Sequence, residues 1–127
     1  MSEEKQNFVL MFDKENAPKV ESGLKRQTVR KRPKRMPRVC DNLSLRKWTA
    51  KAYRSKQGTL IEAPATRIQE IKIDVFDVTI DGKKLSDPDL EKFARADGFE
   101  GWDAVENLLD YFCNRYDLPF QGIVIHW

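Results

Sequence analysis

The chain is poor in the residues that build metal and disulfide frameworks. It has two cysteines and one histidine in 127 residues. Cys40 and Cys113 lie far apart with no CxxC spacing, and His126 stands alone near the C-terminus. That leaves too few soft ligands for a structural zinc site, so no metal and no cofactor is expected. The two thiols read as unpaired cysteines of a reducing cytoplasm. Long apolar runs are also missing. The longest is Phe8 to Phe12, far short of the ~20 residues that a membrane span needs. Ser2 to Asn7 lacks the basic-then-apolar pattern of a secretory signal. The expectation is a cytoplasmic, non-membrane chain, long enough to bury a core without staples. Only residues 1–6 read as a flexible tail, leaving one domain over 7–127.

Charge, by contrast, is plentiful. Charged residues make up 34% of the chain, yet the net charge is only +3. The small sum hides a division. Residues 1–60 carry 16 Lys+Arg against 6 Asp+Glu, a balance of +10. Residues 61–127 carry 7 against 14, a balance of −7. The excess is densest where Lys25, Arg26, Arg30, Lys31, Arg32, Lys34, Arg35 and Arg38 follow one another without an acid. Further on, Arg46, Lys47, Lys51, Arg54 and Lys56 are interleaved with Trp48 and Tyr53. Cations neutralise phosphates and release counterions, and aromatic faces stack unpaired bases. The candidate nucleic-acid contacts are Lys25, Arg26, Arg30, Lys31, Arg32, Lys34, Arg35, Lys47, Lys51, Tyr53, Arg54 and Lys56. The competing readings are a solvated basic loop over core aromatics, or a localisation signal at Lys31 to Arg38.

Periodicity divides the chain into short elements. Phe8 to Phe12 reads as a fully buried strand. Asn16-Ala17-Pro18 opens a short helix that Gly23 closes. Gln27 to Lys31, Leu43 to Trp48 and Thr59 to Glu62 read as strands. Thr66 to Ile80 is the strongest β signal, with a break near Val75-Phe76-Asp77 that suggests a bulge or bend. Asp81-Gly82 is a tight turn leading into Lys83 to Leu85. Asp87-Pro88-Asp89 then opens a helix carrying Leu90, Phe93 and Ala94, and Asp97-Gly98 breaks it. Trp102, Val105, Leu108, Leu109 and Phe112 form a helical stripe that places Trp102 in the core. Phe120 to Trp127 closes the chain as an alternating strand. The fold class is α+β with mostly antiparallel strands, a short N-terminal helix and two helices before the last strand. Such strands avoid exposed edges by forming a closed or nearly closed small barrel.

One spacing carries more information than composition. Gly23, Lys25, Thr28 and Arg30 form the pattern G-x-K-x-x-T-x-R between the first helix and a strand. Cys40-Asp41-Asn42-Leu43, Asp97-Gly98-Phe99, Trp102 and the terminal Ile125-His126-Trp127 follow in order. Taken together, these features resemble the ASCH domain family of the PUA-like superfamily, over roughly Phe8 to Trp127. The connection from Lys47 to Gln57 is similar to that of the single-domain ASCH proteins of phage and prophage genomes. Many members of that family carry Gly-Asp where this chain has Cys40-Asp41.

The resemblance implies a small PUA-like β-barrel with a ligand cleft beside it. It implies RNA or nucleotide binding, since PUA-like barrels are RNA-binding modules. Some small bacterial ASCH proteins are amidohydrolases that deacetylate N(4)-acetylcytidine with a lysine, a threonine and a glutamate. Others are ribonucleases. By position, Lys25 and Thr28 match the first two catalytic residues, and Asp97 falls where those enzymes have glutamate. Aspartate is shorter by one methylene, about 1.5 Å of reach. In the amidohydrolase reading Thr28 is the nucleophile, Lys25 its base and Asp97 the acid for the leaving amine. The expected partner is RNA, another single strand or a modified nucleoside. Alternative roles stay open: a phosphate contact for Lys25, a strand position for Thr28, and a turn position for Asp97.

Overall fold

The computed structural model describes residues 5–48, 56–74 and 77–127. The elements run β1 (Asn7–Phe12), α1 (Asn16–Glu21), β2 (Gln27–Lys31), β3 (Asn42–Trp48), β4 (Gln57–Pro64) and β5 (Arg67–Ile73). They continue as β6 (Val78–Ile80), β7 (Lys83–Lys84), α2 (Asp87–Ala96), α3 (Ala104–Arg115) and β8 (Phe120–His126). The fold is a small α+β arrangement in the expected order. No helix among the described residues is long and apolar enough to cross a membrane.

Local chemistry accounts for the boundaries. Gly23, at φ +81°, supplies the left-handed residue that ends α1. Asp81 and Gly82, at φ +50° and +83°, make the two-residue turn between β6 and β7. Ser86 Oγ accepts from Asp89 N at 3.4 Å and caps α2, with proline in its first turn.

The strands form two sheets, ordered β1-β3-β4 and β2-β8-β5-β6-β7. Of the described pairings, β1 with β3 is parallel and the others are antiparallel. The sheets meet at the corner between β4 and β5. There Cys40 N donates to Ala65 O and Ala65 N to Asp41 O, each at 2.8 Å, while Thr66 N donates to His126 O at 2.9 Å. On the far side β1 and β2 are edge strands, and among the described residues backbone hydrogen bonds do not close the two sheets into one barrel. A side chain crosses that gap instead: Arg30 Nη2 donates to Met11 O at 2.7 Å.

The five-stranded sheet separates two apolar clusters. One joins Ile71, Ile73, Phe120 and Val124 to Leu90 and Phe93 of α2 and Leu108 and Phe112 of α3. The other joins Ile123 and Ile125 to Leu43 and Leu45 of β3, Leu10 and Phe12 of β1, and Val20 of α1. Because β8 is central and covered on both faces, Val124 is as buried as Ile123. An alternating pattern with one wet face was expected there; burial on both faces overrides it. Gly122 is required by close approach, since a Cβ would lie 2.3 Å from Arg30 O.

Three expectations need correction. Phe8 to Phe12 is an edge strand, with Leu10 and Phe12 inward and Val9 48% exposed. Thr66 to Ile80 is a hairpin of β5 and β6, with Asp74 N donating to Asp77 O at 2.8 Å. Val75 and Phe76, where a bulge was expected, lie outside the described residues. Trp102 precedes α3 and is fully exposed. Gly101, at φ +87°, turns the chain just before it, so the helical stripe starts later, at Ala104.

Candidate functional site

The gap between the two sheet edges widens into a cleft of about 610 Å³. Lys25, Thr28, Arg30 and Asp97 all line it. Lys25 comes from the link between α1 and β2, where its N–H donates to Lys19 O at 3.0 Å. Thr28 and Arg30 are two apart on β2 and share a face. Asp97 is the C-cap of α2, and Gly98 at φ +100° turns the chain toward α3. Residues 72 positions apart in sequence are thereby brought together.

The contacts are close and dry. Lys25 Nζ donates to Asp97 O at 2.6 Å and lies 3.3 Å from Asp97 Oδ1. The two side chains are 5% and 7% exposed. Asp97 Oδ1 is within ion-pair distance yet has no aligned hydrogen bond, and Gln27 Nε2, buried as well, also lacks one. Lys19 Nζ donates to Gly98 O at 2.7 Å. Two lysines therefore grip successive carbonyls of the junction after α2. A Cβ at Gly98 would press on Lys19 Cδ at 3.3 Å and touch Lys25 Cδ at 3.5 Å. Arg30 Nε donates to Thr28 Oγ1 at 3.2 Å, and the guanidinium lies 5.0 Å over the Phe12 ring.

Burial sets the electrostatics. It pushes the Asp97 carboxyl up from 3.8 to about 6, against the opposing pull of Lys25, Gln27 and Arg30. Burial likewise lowers the Lys25 ammonium below its ordinary value, although Asp97 pulls it back up. Burial thus disfavours the charged form of each partner, and the contact between them opposes that shift. A buried amine and a buried carboxyl shifted in these directions are groups that acid–base catalysis uses.

The remaining walls are aromatic and charged. Phe99 follows the junction, and its ring meets Tyr111 of α3 edge-on at 5.9 Å. Arg115 lies 4.6 Å over the Tyr111 ring. Tyr116, Asn107 and Trp48 also face the cleft, with Asp13 and Glu15 on the β1–α1 side. Tyr111, Tyr116 and Asn107 were not singled out from sequence. Tyr111 resembles a core position beside Phe112, and only the four-residue spacing of Asn107, Tyr111 and Arg115 marks a second face of α3.

The other basic candidates among the described residues do not line this cleft. Arg32 pairs with Glu70 at 2.8 Å on the exposed surface. Arg35 donates to Asn7 O at 2.8 Å and covers the Phe8 ring at 4.3 Å. Lys31 lies 5.9 Å over the Tyr116 ring, and Lys47 sits 3.9 Å from Glu21. Arg26, Lys34 and Lys56 are exposed. Lys51, Tyr53 and Arg54 lie outside the described residues. His126 Nε2 is 2.7 Å from Gln69 Oε1, a structural contact across β8 and β5.

Among the described residues no three His, Cys, Asp or Glu side chains are grouped to hold a metal ion. No protein-family description, curated protein or solved structure matches this chain.

Proposed function

We propose that the protein is an ASCH-type, PUA-like domain whose cleft binds RNA or a nucleotide. The observation that carries this reading is the convergence on one cleft of aromatic rings (Phe99, Tyr111, Tyr116) and cations (Lys25, Arg30, Arg115). Rings offer a base its stacking surface, and guanidinium groups suit phosphate oxygens. A volume of about 610 Å³ suits a nucleoside or one extruded nucleotide rather than a duplex. Two further features support the family. The two sheets, joined at the β4–β5 corner and bridged by Arg30, are placed as an open barrel would require, which supports the reading. Cys40 holds φ +77°, the left-handed conformation that suits the glycine found in many ASCH proteins.

The reading is tested by titrating the protein with labelled single-stranded RNA over a range of salt. Micromolar or tighter binding that weakens steeply with salt is the expected result. Absent or salt-insensitive binding rejects it.

A second reading, hydrolysis of N(4)-acetylcytidine, is favoured by one specific observation. Lys25, Thr28 and Asp97 line the same cleft, with Lys25 and Asp97 in contact. In this chemistry Thr28 Oγ1 attacks the acetyl carbonyl and Lys25, neutral, takes the hydroxyl proton. Arg30, already donating to Thr28 Oγ1, stabilises negative charge on that oxygen. Asp97 protonates the cytidine amine as the C–N bond breaks, and water then releases acetate from Thr28. Chromatographic detection of cytidine from N(4)-acetylcytidine tests this reading, with Lys25→Ala and Thr28→Val as controls. Turnover equal to both controls rejects it. A ribonuclease on the same cleft would instead degrade labelled RNA in chelator.

A further inference from the structure

The cleft is chemically polarised along α3. Asn107, Tyr111 and Arg115 are four residues apart, so they form one stripe with steps of about 6 Å and a span of about 12 Å. All three line the cleft. At the C-terminal end of the stripe cations gather around two phenols. Arg115 lies 4.6 Å over the Tyr111 ring, and Lys31 lies 5.9 Å over the Tyr116 ring. Arg30 lines the same cleft, with Asp13 and Asp97 as acids in its walls. Its guanidinium is already engaged with Met11 O and Thr28 Oγ1. Arg115 and Lys31, both exposed, stand at the rim of this cluster. At the other end Asn107 offers an amide, with donor and acceptor side by side.

We propose that this face of α3 recognises a phosphorylated nucleoside: Arg115 and Lys31 hold the phosphate beside the Tyr111 and Tyr116 hydroxyls, and Asn107 reads the base edge. The argument is one of chemical order. A phosphate and a base edge are met by guanidinium and amide at the two ends of the stripe, about 12 Å apart, with the Tyr111 ring between them. Tyrosine hydroxyls donate to phosphate oxygens, and the flanking cations supply charge without closing the cleft. The acids Asp13 and Glu15 lie on the β1–α1 wall, so the phosphate is steered toward α3 rather than across the cleft. This proposal rests on the nucleotide-binding reading and assigns the phosphate and the base edge of that ligand to opposite ends of one helix face.

Calorimetric titration of the full chain tests it, using the four ribonucleosides, their 5′-monophosphates, inorganic phosphate and matching trinucleotides. At least one monophosphate should bind about tenfold or more tightly than its own nucleoside, the scale of one charge-assisted contact. Arg115→Ala should narrow that gap, lowering monophosphate affinity more than nucleoside affinity. Lys31→Ala should narrow it less, and circular dichroism checks that both variants fold. A trinucleotide that binds at least as well as the monophosphate identifies the source as a strand. One that binds worse identifies a free mononucleotide. Equal affinity for nucleoside and monophosphate overturns the phosphate subsite and leaves the cleft reading intact. A gap unchanged in both variants overturns the assignment to Arg115 and Lys31, as does binding of inorganic phosphate alone. No binding of any of these ligands overturns the subsite together with the nucleotide reading.

Discussion

Lys25–Asp97 and Arg32–Glu70 are ion pairs in different settings, and distance does not rank them. The Arg32–Glu70 contact is the shorter, 2.8 Å against 3.3 Å. It is also 60% and 68% exposed, whereas the Lys25–Asp97 side chains are 5% and 7% exposed. Water screens the first pair and leaves it a surface contact. The second has lost water from both partners, and its chemistry follows from that loss. The cleft thus holds one buried, perturbed pair in its wall, while the basic loop spreads its charges over an exposed surface. Two functions fit these two settings: chemistry or close recognition in the cleft, and electrostatic attraction around it.

The largest expected difference comes from removing one cation from each pair. Lys25→Ala leaves Asp97 buried beside an uncompensated space and should cost about 3–5 kcal/mol of stability. Arg32→Ala should cost at most about 1 kcal/mol. Urea unfolding of the two variants measures both. Similar losses would mean that burial does not govern the Lys25–Asp97 pair. A double variant, Lys25→Met with Asp97→Leu, should recover most of the loss, because no orphaned charge remains.

Acid titration sharpens the comparison next. The folded Asp97 carboxyl has its pKa near 6, against an ordinary value of 3.8. Between those values the folded chain holds a proton that the unfolded chain releases. Stability from this group therefore rises as pH falls from about 6 toward 3.8, by about 3 kcal/mol over the window. Lys25 acts in an alkaline window with the opposite slope, since its lowered pKa makes the folded chain bind fewer protons there. Asp41 acts at still lower pH. Its carboxylate accepts from Gln6 N and Arg38 N, which holds its pKa below 3.8, so its contribution is lost as pH falls through that depressed value. Subtracting the pH–stability curve of Asp97→Asn from that of the wild type isolates the first effect. A flat difference between pH 4 and 6 would remove Asp97 from the set of perturbed groups.

The exposed region is tested by its effect on binding rather than folding. Reversing Arg32, Lys34 and Arg35 to glutamate should weaken RNA binding by a similar factor for every sequence. It should also reduce the salt slope by about 0.7 for each phosphate that is no longer neutralised. Arg35 also covers Phe8 and donates to Asn7 O, so a small stability loss accompanies the reversal. Unchanged affinity would confine recognition to the cleft.

Much of the architecture was legible because local rules and tertiary demands agree. Asp87-Pro88-Asp89 opens α2 where capping chemistry places it, and Asp81-Gly82 turns with positive φ at both residues. Lys25, Thr28 and Asp97 were legible through the resemblance, which spans distances in sequence that periodicity cannot. Tyr111 and Tyr116 were hidden because an aromatic on an amphipathic helix looks alike whether it faces a core or a cleft. Gln27 was hidden for another reason: an isolated polar residue on a short strand carries no mark of burial. The incomplete closure of the sheets was also illegible, since strand pairing is set by register between distant segments.

Trp102 marks the limit of pattern reading most sharply, and it supplies the smallest expected effect. Its spacing to Val105 and Leu109 fits a helical stripe, yet Gly101 at φ +87° turns the chain before α3 begins. The indole is left fully exposed between acidic neighbours Glu100 and Asp103. A side chain with no buried area has no transfer free energy to lose. Trp102→Ala should therefore shift stability by no more than about 0.5 kcal/mol, while Trp102→Phe should remove the most solvent-quenched part of the intrinsic fluorescence. A loss on the scale of a core truncation, about 3–5 kcal/mol, would return Trp102 to the core and move the start of α3 back with it. The lining of the cleft near Phe99 would then change as well, because that residue and Trp102 share the same short connection.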